Sequence, residues 1–219
     1  MCEKCPRLVE WREEVALTKR KSYASEEYWG RPVTGFGPSD ARIVILGLAP
    51  GAHGANRTGR VFTGDSSGDW LYRSLHKNGL AKIPTSTSRH DGQKLINTRI
   101  LCVLRCAPPD NKPTTEEKAN CAPFFISEIE LLAPTTSVYI TLGNFAWNSL
   151  FVTLTQMGEV LPKPRPKFGH GEIVKFKSKS GYTVHILASY HPSQQNTFTG
   201  KLTEPMLDSV LKLAHEFIQ

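Results

Sequence analysis

Five cysteines, a carboxylate behind a glycine-rich loop and a histidine in a polar loop are the residues of this chain whose types and spacing could do chemistry. Cys2 and Cys5 form a C-x-x-C pair, and two intervening residues let both thiolates reach one metal centre from a single turn. Cys106 and Cys121 lie far downstream with fourteen residues between them, a weak spacing by itself. Four thiolates suit either zinc or an iron–sulfur cluster. Cys102 reads as a small core hydrophobe. An odd cysteine count behind an N-terminus with no basic-then-apolar segment argues against a disulfide framework and for a cytoplasmic address.

The glycine-rich stretch runs Gly47-Leu48-Ala49-Pro50-Gly51-Ala52-His53-Gly54-Ala55-Asn56-Arg57-Thr58-Gly59-Arg60. It lacks the G-K-[ST] ending of a phosphate loop and misses the G-x-G-x-x-G spacing, which disfavours a nucleoside triphosphate. Its glycines can still bring backbone close to a base or a DNA phosphate. Asp65 follows in Phe62-Thr63-Gly64-Asp65, where it can cap a helix, position a water, or do both. His191 stands in the run Ser189-Tyr190-His191-Pro192-Ser193-Gln194-Gln195-Asn196. Asn111 lies within Pro109-Asp110-Asn111-Lys112-Pro113, which reads as an irregular turn. His170-Gly171-Glu172 has the H-x-E of zinc deaminases, but their cysteine motif follows H-x-E and here C-x-x-C precedes it. That chemistry is excluded.

The elements that must position these residues alternate. Apolar periodicity predicts a helix over 5–25, strands over 41–47, 97–106, 137–142 and 182–189, and helices over 66–78, 114–132, 144–154 and 204–217. Residues 162–179 are basic and Pro-rich, a loop with a short hairpin. Alternating strands and helices predict an α/β fold with a parallel sheet covered on both faces, over residues 1–219 as one domain. Sites in such sheets gather at the carboxyl ends of the strands, which are the loops beginning at Leu48, Ala107 and Tyr190. The apolar runs are too short to cross a bilayer. Lysine and arginine total 27 against 20 acidic residues, a net charge of +7 that suits a phosphate-tracking surface and equally an ordinary basic protein.

Three stretches together resemble one family. The first motif, from Gly47 to Gly54 with Asn56 to Arg60 and Phe62 to Asp65, resembles that of family 5 uracil-DNA glycosylases, the UDGb type. Tyr190-His191-Pro192-Ser193 through Asn196, with Thr199-Gly200-Lys201-Leu202-Thr203, is similar to the family's second motif. Cys2-x-x-Cys5-Pro6, Cys106-Ala107-Pro108-Pro109 and Cys121 are similar to the cluster-binding pattern shared by families 4 and 5.

The resemblance implies a three-layer α/β/α sandwich around a four-stranded parallel sheet. It implies a structural 4Fe-4S cluster on Cys2, Cys5, Cys106 and Cys121. It further implies a monomer in the cytoplasm of a bacterial or archaeal cell, acting on DNA that contains uracil or other deaminated bases. Phe62 would stack on the flipped base, with Gly47, Ala49, Gly51, His53 and Cys102 around it. Asp65 and His191 would act on the sugar and the departing base, with Asn111 assisting. Arg57, Arg60, Ser193, Asn196 and Lys201 would face DNA. The wedge is Gln195 by alignment and Phe198 by chemistry. Most of the superfamily places Asp or Asn where this chain has Ala49, and family 4 places an Asn where it has Cys102. A pocket without that reader should discriminate less sharply, and a broad range including hypoxanthine is expected. Two other readings are a lesion sensor without catalysis and a zinc-stabilised nucleic-acid protein.

Overall fold

Short β-branched runs bounded by Gly, Pro and Asp dictate the frame. The computed structural model describes residues 1–219. In chain order the elements are α1 (Pro6–Thr18), β1 (Ile43–Gly47), α2 (Ala55–Thr58), α3 (Ser66–Lys77), β2 (Thr98–Cys102), α4 (Thr115–Leu132), β3 (Val138–Leu142), α5 (Asn144–Gln156), β4 (Ile173–Lys177), β5 (Thr183–Ser189), α6 (Gln194–Phe198) and α7 (Glu204–Glu216). The predicted helix over 5–25 stops at Thr18, because Lys19 takes a positive φ of 52°, and a 3-10 turn follows at Lys21–Tyr23.

The sheet order is β2-β1-β3-β5-β4. Its first four strands are parallel, and β4 pairs antiparallel with β5. The sheet therefore has five strands rather than the expected four, and it is mixed. The fifth, β4, comes from the 162–179 segment, which holds this one strand rather than a hairpin of its own, because its partner is β5. Val174 and Phe176 point inward while Ile173, Lys175 and Lys177 are exposed, a half-buried pattern that suits an edge. The two exposed lysines also protect that edge from pairing with another chain.

The other strands are buried on both faces, as continuous apolar runs require. Ile43 and Ile45 join Leu71 and Leu75 of α3 and Leu207 and Leu211 of α7 in one core. Val44 and Leu46, one residue out of phase, join Phe125 of α4, Trp147 of α5 and Leu8 of α1 in the other. The period-2 alternation of β1 thus divides the molecule into three layers. The short helices α2 and α6 lie in the loops after β1 and β5, on the side where the site forms. No helix is long and apolar enough to cross a membrane.

Helix α4 carries Cys121, and its start is fixed by a capping box. Glu117 N donates to Thr114 Oγ1 at 3.1 Å, and Thr114 N donates to Glu117 Oε2 at 2.7 Å. Thr114→Ala should cost about 1 kcal/mol in denaturant unfolding, with the slope unchanged.

Candidate active site and cysteine pocket

Asp65 caps α3, and one of its oxygens does that work. Oδ1 accepts from Gly68 N at 2.9 Å. Oδ2 faces the turn of the glycine-rich loop. A Cβ on Gly54 would stand 1.9 Å from Oδ2, and one on Gly51 3.0 Å from it. Glycine is needed there for space, and the oxygen that caps the helix is not the one that faces the loop. Burial pushes the Asp65 carboxyl above its ordinary range, which makes it a better base than an exposed aspartate.

Gly47 ends β1 against the Cε2–Cζ edge of the Phe62 ring. A Cβ there would lie 2.8 Å from Phe62 Cε2 and 3.4 Å from Cys102 Sγ, so these three residues meet at one point. Phe62 holds a φ of +49°, rare for a bulky residue, and is 8% exposed. Such strain persists only where the surroundings over-determine it, as pocket residues often are. The Phe62 ring also packs on His191, with centroids 5.7 Å apart and planes tilted at 35°. Burial alone depresses the His191 ring to about 4, so it is neutral at physiological pH. Ala49 packs against the second core, and His53 is half-buried with Nδ1 3.1 Å from Tyr28 Oη.

Arg57 and Arg60, expected at the DNA surface, turn inward and are 6% and 5% exposed. Arg57 donates to His53 O at 2.8 Å and Gly64 O at 2.7 Å, pairs with Glu26 and stacks on Tyr23. Arg60 donates to Thr63 Oγ1 at 2.9 Å, Ser86 Oγ at 2.8 Å and Asp91 Oδ2 at 2.6 Å. Both guanidinium groups tie the loop that carries Phe62 and Asp65 to the protein. Sequence reasoning missed Tyr28, Ser86 and Asp91, whose only signal is a contact across tens of residues.

Helix α6 does present a surface. Gln195 and Lys201 are exposed there, and Phe198 is 81% exposed. Lys201 Nζ lies 4.9 Å from the Tyr190 ring centroid, and Ser193 caps the helix half-buried. Asn196 turns back, its Nδ2 donating to His191 O at 2.9 Å. Asn111 is exposed in a turn where it and Asp110 have φ values of 56° and 52°. Its main chain bonds to Pro108 O, and no contact joins its amide to Asp65 or His191.

Cys2, Cys5, Cys106 and Cys121 line one cavity of about 650 Å³. All four are free thiols and half-buried, and Cys102 is fully buried apart from them. No three His, Cys, Asp or Glu side chains stand close enough together to hold a single metal ion. Two sulfurs accept hydrogen bonds, Cys106 Sγ from Arg12 Nη1 at 3.2 Å and Cys121 Sγ from Arg105 N at 3.3 Å. Arg12 is 1% exposed and its Nε has no partner.

A family model described as the uracil DNA glycosylase superfamily matches residues 34–214. The chain belongs to the uracil DNA glycosylase superfamily. A type-5 uracil-DNA glycosylase of Mycobacterium bovis is 49% identical over 98% of this chain and 77% of the relative. One of Thermus thermophilus is 49% identical over 96% of this chain and 90% of the relative. A type-4 uracil-DNA glycosylase of Saccharolobus solfataricus is 30% identical over 74% of this chain and 65% of its own length. Within the superfamily the chain stands with the type-5 members. The matched span holds the glycosylase motifs and Cys106 and Cys121, while Cys2 and Cys5 precede it.

In the folded protein His191 should titrate near pH 4 by NMR, against an ordinary value of 6.5. Between those values the unfolded chain takes a proton that the folded chain refuses. This residue's contribution to stability is therefore full above about pH 6.5 and declines as the pH falls toward about 4.

Proposed function

We propose that this chain is a DNA glycosylase that hydrolyses the N-glycosidic bond of uracil and other deaminated bases, hypoxanthine among them, to begin base excision repair. One observation carries the reading. The Phe62 ring, in contact with Gly47 and His191, shares one loop with the second oxygen of Asp65. A flipped base stacking on Phe62 would have its edge toward His191 and Cys102 and its sugar toward Asp65.

The chemistry divides between the two residues. As the bond from C1′ to the base breaks, its electron pair leaves with the base and the sugar gains oxocarbenium character. A neutral imidazole N–H donates to the departing base and stabilises its charge without protonating it outright, a task that the depressed His191 suits. Asp65 Oδ2 stabilises the sugar cation and takes a proton from the water that attacks C1′. Asn111, exposed and away from both, would join only if DNA drew the 109–113 turn toward the pocket. Arg57 and Arg60 act by holding the loop. Ser193, Gln195 and Lys201 track the DNA backbone, and Phe198 is the wedge.

The broad range follows from Cys102. Burial pushes its thiol up to about 12, so it stays a weak neutral group that cannot pair donor and acceptor with one base edge. Ala49 contributes no water-positioning group, and that load falls on Asp65.

The four cysteines around one cavity support a 4Fe-4S cluster with a structural role, held by Cys2, Cys5, Cys106 and Cys121. A single zinc would need its four sulfurs about 3.8 Å apart, from zinc–sulfur bonds of about 2.3 Å. Here they ring a cavity, and the buried Arg12 supplies positive charge beside Cys106. When bound, the cluster cross-links the N-terminus, the segment after β2 and α4.

Duplexes bearing uracil, hypoxanthine or a thymine mismatch, treated with alkali after incubation, test the function. Strand breaks should appear at uracil and hypoxanthine, falling by about 10² to 10⁴ in Asp65→Ala and by about 10² to 10³ in His191→Ala. Tight lesion binding with no breaks at any base would instead establish a binding protein. Cys102→Asn should raise the preference for uracil over hypoxanthine, and an unchanged ratio would remove Cys102 from specificity. Iron and sulfide analysis of protein purified without oxygen should find both, and Cys106→Ser should lose them. Zinc in their place would refute the cluster.

A further inference from the structure

The side-chain hydrogen bond made at His191 goes to its carbonyl oxygen and not to its imidazole, whose ring packs on Phe62. The direction of that ring is therefore set by packing on Phe62 and by the backbone that carries it. That backbone is held at three points. Tyr190 N donates to His170 Nδ1 at 3.2 Å, Tyr190 O accepts from Ser189 Oγ at 3.0 Å, and His191 O accepts from Asn196 Nδ2 at 2.9 Å. Only the first is made by a residue distant in sequence. His170 comes from the lead-in to β4, the segment that the H-x-E pattern drew attention to and that no glycosylase chemistry uses.

We infer that His170 is a positioning residue for His191, acting through the main chain of Tyr190. Its Nδ1 accepts the hydrogen bond from Tyr190 N, which fixes the neutral tautomer with the proton on Nε2. The rings of His170 and Tyr190 lie 5.2 Å apart, so the same side chain braces both the amide and the aromatic face of Tyr190. Phe168 adds a second contact, its ring centroid 6.1 Å from that of Tyr190. His170 itself is fixed because the chain beside it is zipped to β5. Gly171 N donates to Ala188 O at 2.8 Å, and Ala188 N donates to Glu172 O at 3.0 Å. The antiparallel fifth strand thereby serves the site: it carries the brace to the carboxyl end of β5.

The inference rests on the reading of His191 as the group that meets the departing base. A misplacement of about 1 Å in a catalytic group can cost about a hundredfold in rate. His170→Ala should therefore slow single-turnover uracil excision by roughly tenfold to a hundredfold, with the affinity for the lesion duplex within about threefold of the unsubstituted protein. His170→Asn, whose amide oxygen can take the place of Nδ1, should restore most of the rate. In a double-mutant cycle His170→Ala should add nothing in the His191→Ala background, because residues that act as one unit are not additive. A full additional loss in that background would overturn the inference, as would His170→Asn remaining as slow as His170→Ala. If His191→Ala alone left the rate unchanged, the reading of His191 would fail, and this would be visible apart from any effect of His170.

Discussion

There is no room for a methyl group at Gly47, and much of the site depends on that fact. The end of β1 meets the edge of the Phe62 ring with the Cys102 thiol alongside. Phe62 takes a positive φ, and Asp65 caps α3 three residues later. Gly51 and Gly54 then leave space for the second Asp65 oxygen. A stacking platform and a carboxylate are thus placed by one close approach of backbone to ring. The strain is borne by the buried pairs of Arg57 and Arg60 on either side, and by α3 docking on α7.

The positive charge of the chain has two destinations. Part of it is spent inside. Arg12, Arg57 and Arg60 are buried, with partners that fix the cysteine cavity and the pocket loop. Such arginines would be expensive to strand without partners, so each marks a place where the fold is tightly specified. Lys201 and the lysines of β4 remain outside, where phosphate can reach them. A count of basic residues could not separate the two groups, since exposure depends on contacts far away in sequence.

The layers and the sites of the loops were legible because they rest on local patterns. Short apolar runs in β1 and β3, the Thr114 capping box and the punctuation after each strand all act within a few residues. The edge strand was legible only as part of a short hairpin inside a basic, Pro-rich stretch, because its pairing with β5 lies outside that stretch. The motifs grouped Phe62 with Gly47 and Cys102, but the packing of the Phe62 ring on His191, 129 residues away, was not legible. The buried state of Arg57 and Arg60 escaped for the same reason: their partners Glu26, Ser86 and Asp91 lie 26 to 31 residues away. His170 was singled out for a metal chemistry that its order in the chain excludes, while its contact with Tyr190 belongs to the tertiary fold.

The central claim is that one loop presents a stacking ring and a carboxylate to a flipped base while a neutral histidine faces its edge. The most direct measurement is a crystal structure with a duplex bearing a deoxyuridine analogue fluorinated at the sugar, which resists loss of its base. The account predicts the uracil out of the helix and stacked on Phe62, with a His191 ring nitrogen within hydrogen-bonding distance of a uracil oxygen. Asp65 Oδ2 should face C1′ across one water. A base that stays in the duplex, or one that leaves it and lies away from Phe62 with His191 turned elsewhere, would contradict the account.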